Sequence, residues 1–339
     1  MTATIGQKSK VGRSIALSVF IALLFAVICL ADAQQPGKIF HIGFLDASNA
    51  SGSTVILETF RQELSKLGWI EGKNITIEYR FAEQKLERLP ELAADLVRLK
   101  VDLIVVSGGP TPIAAKSATS TIPIVMTSFA DPVGAGLVDS LARPGGNVTG
   151  NANLSPELIT KRLELLKDAV PKLLRVGVLW LSAGGIGQDL QLKELRPAAL
   201  ELKLKLEEIE TQSDPKGLET AFQTVKRKQV NAIMTTAGRP FFAQRKRIIE
   251  LAVKYRLPAI YYEKEFVDEG GLMSYGPDSA DLYRRTAVYV DKILRGAKPA
   301  DLPVQQATKF EFVINLNAAK QIGLTLSPEF LARANQVIK

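Results

Sequence analysis

The 339-residue chain carries one cysteine and one histidine, and only 7% of its residues are aromatic. Each scarcity closes off chemistry. Cys29 sits inside an N-terminal apolar run, so the rest of the chain has no thiol for a disulfide, a thiolate metal site or a cysteine nucleophile. His41 is flanked by apolar residues at the start of the first expected strand, whereas ligands in open α/β sheets gather at the opposite, carboxyl ends. It is expected to be structural, which removes the central residue of serine triads, histidine-ligated zinc and imidazole acid–base catalysis. Nucleotide loops are missing as well. Ser107-Gly108-Gly109-Pro110-Thr111 lacks the Gly-Lys-Ser/Thr ending of a phosphate loop, and Gly184-Gly185-Ile186-Gly187 lacks the third glycine of the dinucleotide fingerprint. No catalytic residue, no metal and no cofactor is therefore expected.

Charge gives no stronger lead. The chain is formally +8 with one histidine left neutral. Its basic residues are scattered among acids on helix faces, as in Lys161-Arg162-Leu163-Glu164 and Glu194-Leu195-Arg196, and the nearest candidates for a basic patch, Lys226-Arg227-Lys228 and Arg245-Lys246-Arg247, read as solvated faces of amphipathic helices. No basic stripe with interleaved aromatics occurs, so no nucleic-acid partner is expected.

What is present begins with an export signal. Lys8, Lys10 and Arg13 precede an apolar stretch from Ile15 to Leu30, and Ala31-Asp32-Ala33 supplies small residues for cleavage after Ala33. The stretch is shorter than the ~20 residues that comfortably span a bilayer and nothing comparable recurs, which excludes a multi-pass membrane protein. A retained anchor is the alternative to cleavage. Ile28, before Cys29, is not the small residue that a lipid-acceptor cysteine needs, so a freely diffusing periplasmic protein is expected.

The mature part alternates strands and helices. Apolar runs at 39–45, 101–106 and 122–126, with an alternating strand at 75–79, are separated by single helices; a second series follows residue 151, with strands at 175–181, 205–209, 232–235 and 259–262. Near-continuous apolar strands are what a parallel sheet covered on both faces demands. About three hundred residues exceed one core, so the fold class is α/β with two lobes. The tail, with strands at 271–276 and 309–314 and helices at 280–294 and 317–322, completes the two sheets and sends the chain across more than once.

Candidate ligand residues lie in polar loops after buried strands. Ser48 belongs to the loop after the first strand. Ser107, Gly108 and Thr111 follow the third, where free backbone N–H groups could hold a carboxylate or simply form a capped turn. Ser128 and Asp131 follow the fourth, with Asp131 placed either to pair with an ammonium or to cap an Asp-Pro turn. Trp180, Ser182, Thr235 and Tyr261 hold the equivalent places in the second series.

The runs Asp131–Val138, Leu141–Gly150 and Gly270–Asp278, with Ile42–Leu45, Leu67-Gly68-Trp69 and Gly72–Ile75, resemble the substrate-binding proteins of ABC transporters related to tryptophan- and tyrosine-binding lipoproteins. The resemblance covers about Lys38 to Leu326. It implies a type I periplasmic-binding architecture: two Rossmann-like lobes with parallel sheets, joined by three crossovers and closing on a ligand. Residues 1–33 would be the signal peptide, 38–151 with 277–304 the N-terminal lobe, and 152–276 with 305–339 the C-terminal lobe. Ser107, Thr111, Asp131, Thr235 and Asp278 would border the cleft. A monomer that hands an amino acid or aromatic acid to an ABC permease and its ATPase is the implied function. Two rivals stand beside it: an exported hydrolase pairing Asp131 with Glu263 or Asp278, and a ligand-sensing subunit of a membrane receptor.

Overall fold

A computed structural model of the protein describes residues 38–181 and 186–339; the expected export segment, with Cys29 and the cleavage point, lies outside the described residues. The first series runs β1 (Phe40–Asp46), helix Ala50–Lys66, β2 (Ile75–Phe81), helix Leu89–Arg98, β3 (Leu103–Ser107), helix Thr111–Ala118, β4 (Ile124–Phe129) and β5 (Val148–Ala152). The second runs helix Ser155–Ala169, β6 (Arg175–Trp180), helix Ile186–Glu201, β7 (Lys205–Glu210), helix Pro215–Arg227, β8 (Ala232–Thr235), helices Arg239–Ala243 and Arg245–Lys254, β9 (Ala259–Tyr261), helix Glu265–Asp268 and β10 (Met273–Pro277). Helix Ser279–Leu294, β11 (Gln305–Gln306), β12 (Phe310–Asn315), helices Leu316–Ile322 and Pro328–Leu331, and β13 (Gln336–Ile338) complete the chain.

These strands form two sheets. One is ordered β11-β5-β4-β3-β1-β2 with parallel pairs; the other is ordered β13-β12-β10-β9-β8-β6-β7, with β10 and β12 antiparallel. Sequence periodicity alone had no means of revealing that reversed pair, because direction is set by where the chain re-enters the sheet.

Alternation explains the uninterrupted apolar strands. Leu103 and Val105 of β3 pack with Phe44, Phe60 and Val290 on one face, while Ile104 and Val106 pack with Leu45, Leu96 and Met126 on the other. Each such burial stabilises by about 1.5–3 kcal/mol relative to exposure. The covering helices show the complementary pattern. In Leu89–Arg98, Leu89, Leu92, Ala93 and Leu96 form one buried stripe and Pro90 sits in the first turn, where its missing N–H costs nothing. Lys100, at φ 53°, turns the chain out of that helix into β3.

The chain passes between the sheets three times: after β5, after β10 and after β11. Just before the first passage, Gly150 lets β5 lie close against β4: its φ is +125° and a Cβ there would lie 2.3 Å from the Met126 carbonyl oxygen. Helix Ser279–Leu294 packs on Ala50–Lys66 and β4, placing it with the first sheet. Gln305–Gln306 also pairs in the first sheet, opposite Asn151 and Ala152, so the last passage falls at 307–309 rather than at 305. Helices Arg239–Ala243 and Arg245–Lys254 are divided at Gln244, whose N–H donates to the Phe241 carbonyl at 3.1 Å in a tightened turn.

Candidate functional site

The carboxyl ends of strands from both sheets converge on a cavity of about 130 Å³. That is roughly ten times what a single water needs, and it suits a small organic molecule. From the first lobe come Ser107 at the end of β3, Phe129 at the end of β4, and the apolar side chains of Ile56, Leu86, Ile113 and Leu282. From the second come Arg162, Gln188, Gln191, Arg239, Tyr262 and Glu263.

The neutral polar groups are largely occupied with one another. Ser107 Oγ and the Tyr283 hydroxyl lie 2.7 Å apart. Tyr262 donates to the Gly238 carbonyl at 2.6 Å. Gln188 Oε1 accepts from Leu181 N–H and the Thr236 hydroxyl, and Gln191 Oε1 accepts from Ala237 N–H, so the two amides pin the loops after β6 and β8.

Two ionisable side chains, Arg162 and Glu263, differ from this. Arg162, on helix Ser155–Ala169, is 1% exposed; its Nη1 donates to the Tyr275 carbonyl at 3.2 Å, while Nε and Nη2 have no hydrogen-bond partner among the described residues. Burial pulls its pKa down to about 10, against the opposing pull of Tyr262, Tyr275 and Glu263, so it remains a cation at neutral pH. Glu263, just after β9, leaves Oε2 buried without a partner among the described residues. Desolvation and the neighbouring Glu265 raise its pKa, with Arg239, Arg245 and Ser279 opposing. Arg239 is engaged: Nη2 donates to Ser53 Oγ at 3.1 Å and Nε lies 3.8 Å from Asp46 Oδ1. A buried cation with unfilled donors is costly unless an anion meets it, which makes Arg162 the natural seat for a carboxylate.

Of the residues singled out from sequence, Ser107, Gly108 and Ser128 line the cavity, with Ser128 Oγ accepting from Asn153 at 2.7 Å. The rest lie elsewhere. Asp131 Oδ1 accepts from Gly134 N–H at 2.8 Å and so caps its own turn. Asp278 caps helix Ser279–Leu294 through Asp281 N–H at 2.9 Å and pairs with Arg284. Thr111 is wholly buried and donates to the Gly108 carbonyl. Ser48 donates its N–H to Asp46, and its buried hydroxyl has no partner among the described residues. Thr235 is 1% exposed at the end of β8. Tyr261 stacks on Phe266 at 4.6 Å, and Trp180 packs against the second lobe's core. Ser182 lies outside the described residues. Of the carboxylates proposed for a hydrolase, Glu263 lines the cavity, while Asp131 and Asp278 do not and are engaged in capping.

Sequence reasoning passed over Arg162 and Arg239. The sequence places Arg162 among charges scattered on helix faces, and the structure corrects this: it is among the largest fully buried side chains of the described residues. Its flanks, Lys161 and Glu164, do form an exposed pair, which is why the segment looked uniformly polar.

Comparison with known proteins follows this geometry. A family model described as ABC transporter substrate binding protein matches residues 49–338. A tyrosine-binding protein of Clostridioides difficile strain R20291 is 29% identical over 267 residues, spanning 78% of this chain and 75% of the relative. A Streptococcus pneumonia ABC domain in complex with L-Trp superposes with TM-score 0.80 at 27% identity, covering 89% of this chain and all of the other. A ligand-free, open substrate-binding protein with adhesive properties from Clostridium difficile gives 0.61 at 25% identity, covering 89% and 99%.

Proposed function

From the premise that this chain belongs to the ABC transporter substrate-binding protein family, we propose that it is an exported monomeric receptor whose lobes close on a small carboxylate, an amino acid or an aromatic acid, and pass it unaltered to a membrane permease driven by an ATPase. The observation that carries the reading is Arg162: a buried guanidinium with two unfilled nitrogens on the wall of a cavity that both lobes enclose. A carboxylate there gains two charge-assisted hydrogen bonds and relieves the cost of the buried cation. The apolar side chains Ile56, Leu86, Ile113 and Leu282, with the Phe129 ring, offer the rest of the cargo a desolvated surface. Glu263 Oε2 offers an unfilled acceptor to an ammonium. Relatives described as binding tyrosine and L-Trp favour a cargo that carries both groups.

A ligand that binds only the folded form raises the melting temperature. On the purified protein, L-tryptophan, L-tyrosine and indole-3-acetate should raise it, while the ethyl ester of L-tryptophan, which lacks the carboxylate, should not. Equal shifts from the acid and its ester would overturn the role of Arg162, and recovery of an altered product would favour the hydrolase instead.

A further inference from the structure

Arg239 is a second buried arginine on the cavity wall, and its partners belong to the other lobe. Its Nη2 donates to Ser53 Oγ at 3.1 Å, and the same Ser53 hydroxyl donates to Asp46 Oδ2 at 2.9 Å. Asp46 is 0% exposed at the end of β1, and its Oδ1 accepts from Ser48 N–H at 2.8 Å, leaving that oxygen 3.8 Å from Arg239 Nε. The first lobe thus holds a prepared anion, and the second lobe inserts a cation toward it. The stem of Arg239 runs where a side chain on residue 108 would be: a Cβ on Gly108 would lie 2.0 Å from Arg239 Cγ, and the φ of Gly108 is +83°. Glycine at this position is what lets the arginine through.

A separate contact marks the rim. Glu83 and Gln84 are consecutive non-glycine residues with φ of 53° and 65°, held by hydrogen bonds from their N–H groups to the carbonyls of Ser48 and Ala47. Two left-handed residues in a row are unfavourable for L-amino acids and persist where the surroundings impose them. This turn presents Gln84 Oε1 to the second lobe, where it accepts from Ser213 Oγ at 3.2 Å and Gln244 Nε2 at 3.5 Å.

We infer that Arg239, seated on Asp46 and Ser53 past Gly108 and seconded by Gln84 at the rim, is a positioning residue that latches the lobes shut, scaling the affinity for every cargo without choosing among cargoes. The inference rests on the reading that the lobes open and close around a ligand. Contacts that exist only when the lobes meet shift the open–closed balance, and a shift in that balance multiplies every apparent dissociation constant by the same factor.

The test uses the full chain in a Cys29→Ser background, which leaves no native thiol, with spin labels at Glu87→Cys in the first lobe and Lys216→Cys in the second, both exposed. Without ligand, Arg239→Gln should raise the open-to-closed ratio about tenfold over the parent, seen as growth of the longer inter-label distance. Gly108→Ala, which leaves the ion-pairing groups in place, should do the same. Dissociation constants for L-tryptophan, L-tyrosine and indole-3-acetate should all rise by one common factor in each variant. Unchanged distances in both variants, or a loss confined to one probe, would overturn the latch. If Arg239→Gln does not fold, Gly108→Ala decides. If no probe binds the parent, the proposed function fails, while the ligand-free distances still decide the latch.

Discussion

Two arginines of the second lobe, Arg162 and Arg239, line one cavity, and both side chains are withdrawn from solvent. Their surroundings differ. Around Arg162 the one protein acceptor is a backbone carbonyl, and two nitrogens are left over among the described residues. Around Arg239 the opposite lobe provides a carboxylate and a hydroxyl, and the ring of Phe242 lies 4.4 Å beneath the guanidinium. The contrast teaches that burial alone does not identify a ligand residue. What separates a group kept for cargo from one that joins the lobes is whether the opposite lobe sets a carboxylate and a hydroxyl against it.

Arg162→Met should have the largest effect. Binding of L-tryptophan, measured by titration calorimetry, should weaken by at least about a hundredfold, because a buried ion pair that loses one partner costs about 3–5 kcal/mol. The unliganded variant should melt no lower than the parent, since an apolar side chain carries no buried charge. Retained affinity would remove the distinction between the two arginines.

Asp46→Asn sharpens the comparison from the other side. It keeps one oxygen to accept from Ser48 N–H but replaces the oxygen that accepts from Ser53 and removes the charge facing Arg239, and affinity for the same probe should fall by about tenfold. A loss as large as that of Arg162→Met would place Asp46 with the cargo rather than with the latch.

Glu263 predicts a smaller effect with a definite sign. Its folded-state pKa is raised, chiefly by burial, so the folded protein keeps a proton that the unfolded chain releases above about 4.3. Stability should therefore fall as pH rises from that value toward the raised one. Glu263→Gln should flatten the slope, melting about 2–4 °C above the parent at pH 8 and close to it at pH 4. The same slope in parent and variant would show that this carboxyl does not govern it.

Asp131→Ala should have the least effect on binding. It removes the hydrogen bond to Gly134 N–H and should cost about 1 kcal/mol of stability while changing affinity for L-tryptophan by less than about twofold. A large loss of affinity would bring Asp131 back into the site.

Much of the scaffold could be read from the chain because each βα unit states its own period. The apolar run at β1 and β3 and the spacing of Leu89, Leu92 and Leu96 are local patterns that force a covered parallel sheet. The passages between lobes carry no such local mark and were reached through resemblance to a family. The site was less legible still. Loop position after a buried strand led to Ser107, Gly108 and Ser128, but also to Asp131, whose Asp-Pro turn satisfies its carboxylate within three residues. Arg162 faces inward only because β10 lies across it, with Tyr275 113 residues along the chain. No window of sequence contains both.

The cavity's unequal walls have a further consequence. The polar anchors, Arg162 and Glu263, sit on the second lobe, whereas Ile56, Leu86, Ile113 and Leu282 on the first offer shape without hydrogen-bonding demands. Exchanging those aliphatic residues for larger or smaller ones would remould the space given to the cargo's tail while the grip on its head stays put. Diversification within this scaffold has an inexpensive route: redraw one wall and inherit the anchor.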